Sequence, residues 1–218
     1  MHEGRRDFRL FWAGQTVSQL GSAFSLLALP LLVLHLTGSA RQLALATATG
    51  FLPYLLFGLP IGALVDRLNR KAIMIATDLG RALAVATVPL LATLGALHVW
   101  WIYVIAFAAT TLSIAFDAGQ FAAVPALVGR AELVAANSRL LLGEQVAHVC
   151  GPLLAGALLA VGVATANVLY ADAASFLVSA GSLALIRRPF GGAAPAAGGS
   201  ILADVREGVR YVLGEPLL

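Results

Sequence analysis

Long stretches of this chain carry no formal charge at all. None of Asp, Glu, Lys or Arg occurs from Leu10 to Ala40, from Gln42 to Val65, from Ala82 to Phe116 or from Gln145 to Ala171. A helix needs about 20 apolar residues to cross the hydrocarbon layer, so each run is long enough to span. The run from Ala82 is long enough for more than one span, and Gly95-Ala-Leu-His98 is its natural break. The pattern predicts six spans, at 10–36, 43–65, 72–94, 99–124, 134–162 and 167–186. The strict alternation of a membrane barrel is missing, and Ala- and Leu-rich spans suit helices. The first apolar run is about twice the length of a signal-peptide core, so it is read as a span.

Composition agrees with this reading. The 218 residues are 60% hydrophobic and only 11% charged, against roughly 25% charged in a soluble domain. Mean hydropathy is +0.89. The formal net charge of +3 changes the picture mainly through its placement. Arg5, Arg6 and Arg9 precede the first span, and Arg67, Arg70 and Lys71 lie between the second and third. Arg130 and Arg139 flank the fourth-to-fifth connection, Arg187 and Arg188 follow the sixth, and only Arg41 falls in an opposite-side loop. By the positive-inside rule both ends of the bundle are expected on the cytoplasmic side. The basic residues therefore report topology, and no nucleic-acid partner is expected. No zinc or haem spacing, phosphate loop or nucleophile elbow occurs, so neither a metal, a cofactor nor an enzymatic activity is expected.

Beyond the sixth span the composition shifts. The bundle is expected to occupy 1–188, followed by a flexible cytoplasmic linker over 189–200 rich in Gly, Ala and Pro. Ser200 then reads as an N-cap for an amphipathic surface helix over 201–213. Residues 214–218 read as the start of a truncated seventh span.

Charge concentrates in one loop, Gly62-Ala-Leu-Val-Asp66-Arg67-Leu-Asn-Arg70-Lys71. Its cations can be plain topology anchors. Alternatively, Gly62 admits a neighbouring backbone and Asp66 serves as a polar latch at a helix junction. The loop closely resembles the signature between the second and third helices of the major facilitator superfamily, Gly-x-x-x-Asp-Arg/Lys-x-Gly-Arg-Arg/Lys. Asn69 stands where many members have Gly, and both residue types tolerate a left-handed turn. Gly151-Pro152-Leu-Leu-Ala155-Gly156 in the fifth span is similar to the Gly-Pro element of proton-coupled exporters in that superfamily, with Ala147 and Ala155 in place of glycines. Stretches such as Phe11-Trp-Ala-Gly-Gln15, Val124-Pro-Ala-Leu127 and Asp172-Ala-Ala-Ser-Phe176 resemble its siderophore and macrolide exporter branch.

The resemblance implies an all-α membrane protein whose six helices form one half, a 3+3 repeat, of a major facilitator fold. It also implies that helices one and four face the central cavity. Two polar stripes with three-four-three spacing fit that role: Gln15, Ser18, Ser22 and Ser25 in span one, and Thr110, Ser113, Asp117 and Gln120 in span four. Small polar residues equally serve as glue between membrane helices. Charges inside spans cost roughly 2.5–3.5 kcal/mol each on insertion scales. Asp78 and Arg81 are expected to pair near the cytoplasmic end of span three as a structural support. Asp117 is expected to line the cavity or to pair with a loop cation. Glu144 and His148, four residues apart at middle depth, form either a proton-carrying pair or an interhelical hydrogen bond. Asp172 is a second acid or an interfacial residue.

The function implied is secondary active, proton-coupled export of amphipathic, drug- or siderophore-like small molecules by alternating access. The setting would be a bacterial-type cytoplasmic (inner) membrane, and the partners a missing C-terminal six-helix half or a second copy, the lipid bilayer and a small-molecule substrate. The alternative is a non-transporting scaffold, a regulatory half-protein or an inactive fragment.

Overall fold

A computed structural model describes residues 2–190 as six long helices: α1 (His2–Thr37), α2 (Ala40–Val65), α3 (Arg70–Thr93), α4 (Val99–Val128), α5 (Leu133–Ala160) and α6 (Thr165–Leu185). A 3-10 turn over Arg130–Glu132 leads into α5. All six are long and apolar enough to cross a membrane, and no strand occurs among the described residues. The expected surface helix over 201–213 and the segment 214–218 lie outside the described residues, as does nearly all of the linker. Its second residue, Phe190, packs edge-to-face on Phe11 with centroids 6.2 Å apart, so the bundle runs two residues past the expected boundary at 188.

The breaks have local causes. Gly38 and Gly95 sit at φ +61° and +67° after α1 and α3, a left-handed conformation that ends a helix at little cost only for glycine. Ser39 then caps α2 by accepting from the Gln42 amide. The α2–α3 junction works differently from expectation. Asn69 is not left-handed: at φ −70°, ψ 103° it is the extended N-cap of α3, its side chain accepting from the Ala72 amide at 3.1 Å. An Asn can supply this cap where a glycine has no side chain to do so.

The helices are neighbours in the order α2, α4, α3, α6, α1, α5, and α1 touches α4 and α2 across the middle. Two large apolar cores result, with a small third one of Phe24, Ala155 and Val168. One gathers Phe8, Phe11, Met74, Leu127, Leu140 and Leu183 at the end carrying the basic loops. The other gathers Leu32, Val33, Val85, Ile102, Leu169 and Phe176 toward the opposite end. Between them, near the midpoints of their helices, lie the buried polar residues Gln15, Ser18, Asp78, Arg81, Asp172, Ser175 and Ser179.

Candidate functional site

The α1–α6 contact is built from small residues. A Cβ placed on Gly14 would lie 2.0 Å from Ser182 Oγ, and one on Gly21 would lie 2.0 Å from Ser175 Oγ. Such close approach is how helices associate in lipid, where no hydrophobic force draws them together. Gln15 Nε2 donates to Ser179 Oγ at 3.1 Å, and the Ser25 hydroxyl donates to the Asp172 carboxylate. The α1 stripe therefore divides. Gln15 and Ser18 are buried against the bundle and line neither central cavity, contrary to expectation. Ser22 and Ser25 do reach a cavity wall. The partner stripe on α6 is Asp172, Ser175, Ser179 and Ser182, which the sequence reading left out except for its first member. Its three-four-three spacing matches the other two stripes and is the signal that would have found it.

Two cavities occupy the middle of the bundle. The first, about 310 Å³, has apolar walls from Leu29, Phe51, Val85, Ile102 and Phe176, with Ser25, Thr110 and Asp172 as polar points. The second, about 730 Å³, is toward the basic-loop end and is lined by Gln19, Tyr54, Asp117, Gln120, Asn137 and Glu144. The α4 stripe runs through both: Thr110 lines the first, Ser113 both, and Asp117 and Gln120 the second. Asp117 forms no ion pair with a loop cation among the described contacts. Asp172 is only 1% exposed, deep in the bundle rather than interfacial.

Arg81 is placed differently from expectation. It stands at the midpoint of α3 (Arg70–Thr93), not near its end. Its guanidinium pairs with Asp78 and donates to Ser113 Oγ at 3.3 Å. It also stacks between the rings of Phe116 and Phe176, at 4.5 and 4.4 Å from their centroids. Both members of the pair are buried. Arg81 lines both cavities, so it belongs to the site and does more than support the loop.

Glu144 and His148 do not form the expected pair. Both are exposed, and no ion pair joins them among the described contacts. The inner face of α5 is Leu140 and a stripe of small residues, Ala136, Gly143, Ala147, Gly151 and Ala155. That stripe meets α1 closely: a Cβ on Gly143 would lie 2.6 Å from Thr16 Oγ1, and one on Gly151 would lie 2.3 Å from Ala23 Cβ. Glu144 consequently turns to the second cavity, in company with Asp117, while His148 is not among its lining residues. Pro152 is half-buried within α5. Gly156 would meet nothing within 4 Å, so of the Gly-Pro element Gly151 and Ala155 are the buried members.

The signature loop is tied down by its cations. Asp66 caps α2 and pairs with Arg70 at 3.6 Å, with the carboxylate side chain largely exposed. Lys71 Nζ donates to the carbonyls of Ala184 and Ile186 at 3.2 and 2.7 Å. It thereby satisfies orphan acceptors at the C-terminal end of α6. Arg67 belongs to the same junction. Gly62, expected to admit a backbone, has nothing within 4 Å of its would-be Cβ, because α2 presents that side away from the other five helices.

Comparison with known proteins places this geometry. The family model described as "transmembrane secretion effector" matches residues 4–215. The chain is 33% identical over 183 residues to macrolide efflux protein A of Streptococcus pyogenes, covering 84% of this chain and 45% of that protein. It is 31% identical over 205 residues to the multidrug efflux pump Tap of Mycolicibacterium fortuitum, covering 91% and 50%. It is 29% identical over 210 residues to the uncharacterized MFS-type transporter YfiS of Bacillus subtilis (strain 168), covering 94% and 49%. The chain thus spans about half the length of the curated relatives it matches. No solved structure matches it. With six spanning helices, the signature loop and these relatives together, the chain belongs to the major facilitator superfamily of transporters, in its transmembrane secretion effector family.

Proposed function

We propose that this chain supplies the N-terminal half of a secondary active exporter that moves amphipathic small molecules by alternating access, driven by protons. The carrying observation is the pair of central cavities: one apolar with a single acid, Asp172, and one polar with two, Asp117 and Glu144. An apolar wall with a few polar points suits an amphipathic ligand. Acids held at membrane depth are costly and mark ion pathways. Kinship to efflux proteins supports the direction of transport. Two six-helix bodies would rock about this midplane region, the second being either a C-terminal half or another copy of this chain. The cation bias supports a bacterial cytoplasmic membrane with both ends of the bundle inside. Asp66, Arg67, Arg70 and Lys71 would then form a junction that breaks and reforms as the halves rock.

Glu144 is the proton carrier in this reading, with Asp117 beside it in the same cavity. Glu144→Gln in the full-length transporter should abolish pH-gradient-driven uptake into inverted vesicles while substrate exchange down its own gradient survives. Full pH-driven uptake by well-inserted Glu144→Gln protein would remove Glu144 from the mechanism.

A further inference from the structure

Three residues, Ser22, Arg81 and Ser113, line both cavities, and Arg81 is the charged one. The acids lie on either side of it: Asp172 from α6 on the first cavity, Asp117 from α4 and Glu144 from α5 on the second. Tyr54 of α2 adds a phenol to the second cavity, and the polar side chains that α1 offers to these walls are the uncharged Gln19, Ser22 and Ser25. Asp78, the ion-pair partner, is fully buried and lines neither cavity. The cavities therefore meet the cationic end of the pair, with its carboxylate behind.

The clamp on this cation is specific to arginine. A planar guanidinium stacks on Phe116 and Phe176 at once while giving hydrogen bonds in its own plane to Asp78 and Ser113. A lysine ammonium keeps the charge but has no plane to stack. A fixed positive charge at a constriction of low dielectric repels protons and other cations, as arginine barriers do in selective pores.

We propose that Arg81 is an electrostatic septum. It insulates Asp172 from Asp117 and Glu144, so that a proton bound on one side does not pass to the other through this half of the protein. The inference rests on the proton-coupled reading for its purpose, since a transporter that lets protons cross without substrate dissipates its own driving force. It reaches beyond that reading by assigning a residue to the prevention of leak.

The test is passive proton flux without substrate. Full-length transporter is reconstituted into liposomes holding a trapped pH-sensitive dye, and a potassium diffusion potential is imposed. Wild-type protein should be as tight as protein-free liposomes. Arg81→Gln combined with Asp78→Asn removes both charges of the pair without stranding either, and should raise the flux several-fold. Arg81→Lys, which keeps the charge and loses the stack, should remain tight. A well-inserted neutral double variant as tight as wild type overturns the proposal, and so does equal leak from the lysine and neutral variants, which would make the role one of packing.

A second measurement leaves Arg81 in place, so poor folding of the double variant does not end the test. With Ser22→Cys in a Cys150→Ser background, an anionic thiosulfonate should react faster than a cationic one of similar size. Equal or reversed rates at this boundary, despite acids on both sides, would also overturn it. Either result is independent of Glu144→Gln: the coupling reading falls if that variant keeps pH-driven uptake, and the septum falls if neutralising Arg81 leaves the membrane tight.

Discussion

Helices α2 and α6 look alike as apolar segments, yet half of α6's most apolar stretch is buried inside the bundle against 11% of α2's. The difference lies in the polar and small residues each carries. Along α6, Asp172, Ser175, Ser179 and Ser182 face Gly14, Gln15, Gly21 and Ser25 of α1. Thr47 and Thr49 on α2 bond to carbonyls of their own helix, as Ser175 and Ser182 do on α6. But α2 buries only Pro53 and Val65, and its glycines Gly50, Gly58 and Gly62 meet open space. Its crossing polar contact is at its start, where Tyr103 donates to the Gln42 carbonyl. In lipid, an apolar face gains nothing by leaving the hydrocarbon. Hydropathy thus decides that a helix spans, and close approach together with polar contacts decides what it packs against.

The sharpest way to break this contrast is to place the same side chain on both sides of it. Gly21→Leu drives a side chain into Ser175 and Asp172. It should cost roughly 1–3 kcal/mol or prevent folding, read as a large fall in thermal stability of the detergent-solubilised protein. Gly58→Leu on α2 meets open space and should shift stability far less. Comparable losses at both positions would mean that α2 is as tightly packed as α6.

A smaller effect separates the two charged ends of the signature loop. Lys71→Met removes the donor to the last carbonyls of α6 and should cost about 1 kcal/mol. Asp66→Asn loosens only a largely exposed pair with Arg70 and should cost under about 0.5 kcal/mol, while strongly reducing transport if the junction is a latch. Denaturation measured beside transport rate separates the two, and normal transport by Asp66→Asn would leave the loop as a topology signal.

Much of this was legible in the sequence, for reasons tied to particular residues. The charge-free runs located six spans, Gly95 located the third break, and the stripe from Thr110 to Gln120 marked the cavity side of α4. What the sequence did not convey was rotation and depth. A helix apolar nearly all round has no periodicity from which to read its inner face. Gly62 and Gly156 therefore looked the same as Gly21 and Gly151, yet the first two face open space and the others face helices. Glu144 and His148 do share a face by spacing, but the small residues Gly143, Ala147 and Gly151 had already claimed the side toward α1. Arg81 lies about as far from Lys71 as from Thr93, so the expected span over 72–94 already held it near the middle; nearness to the charged loop is the wrong cue to its depth.

The central claim is that the polar side of α4 and α5, with Asp117 and Glu144, is the wall of a pathway completed by a second six-helix body and not a surface bathed in lipid. Phe121 is 87% exposed on the wall of the second cavity, and Leu83 is 71% exposed on α3. A fluorophore attached at each through Phe121→Cys and Leu83→Cys, in the full-length transporter in bilayers, can be challenged with brominated lipids. Strong quenching at position 83 and weak quenching at position 121 is the predicted result; equal quenching at the two positions would contradict the account.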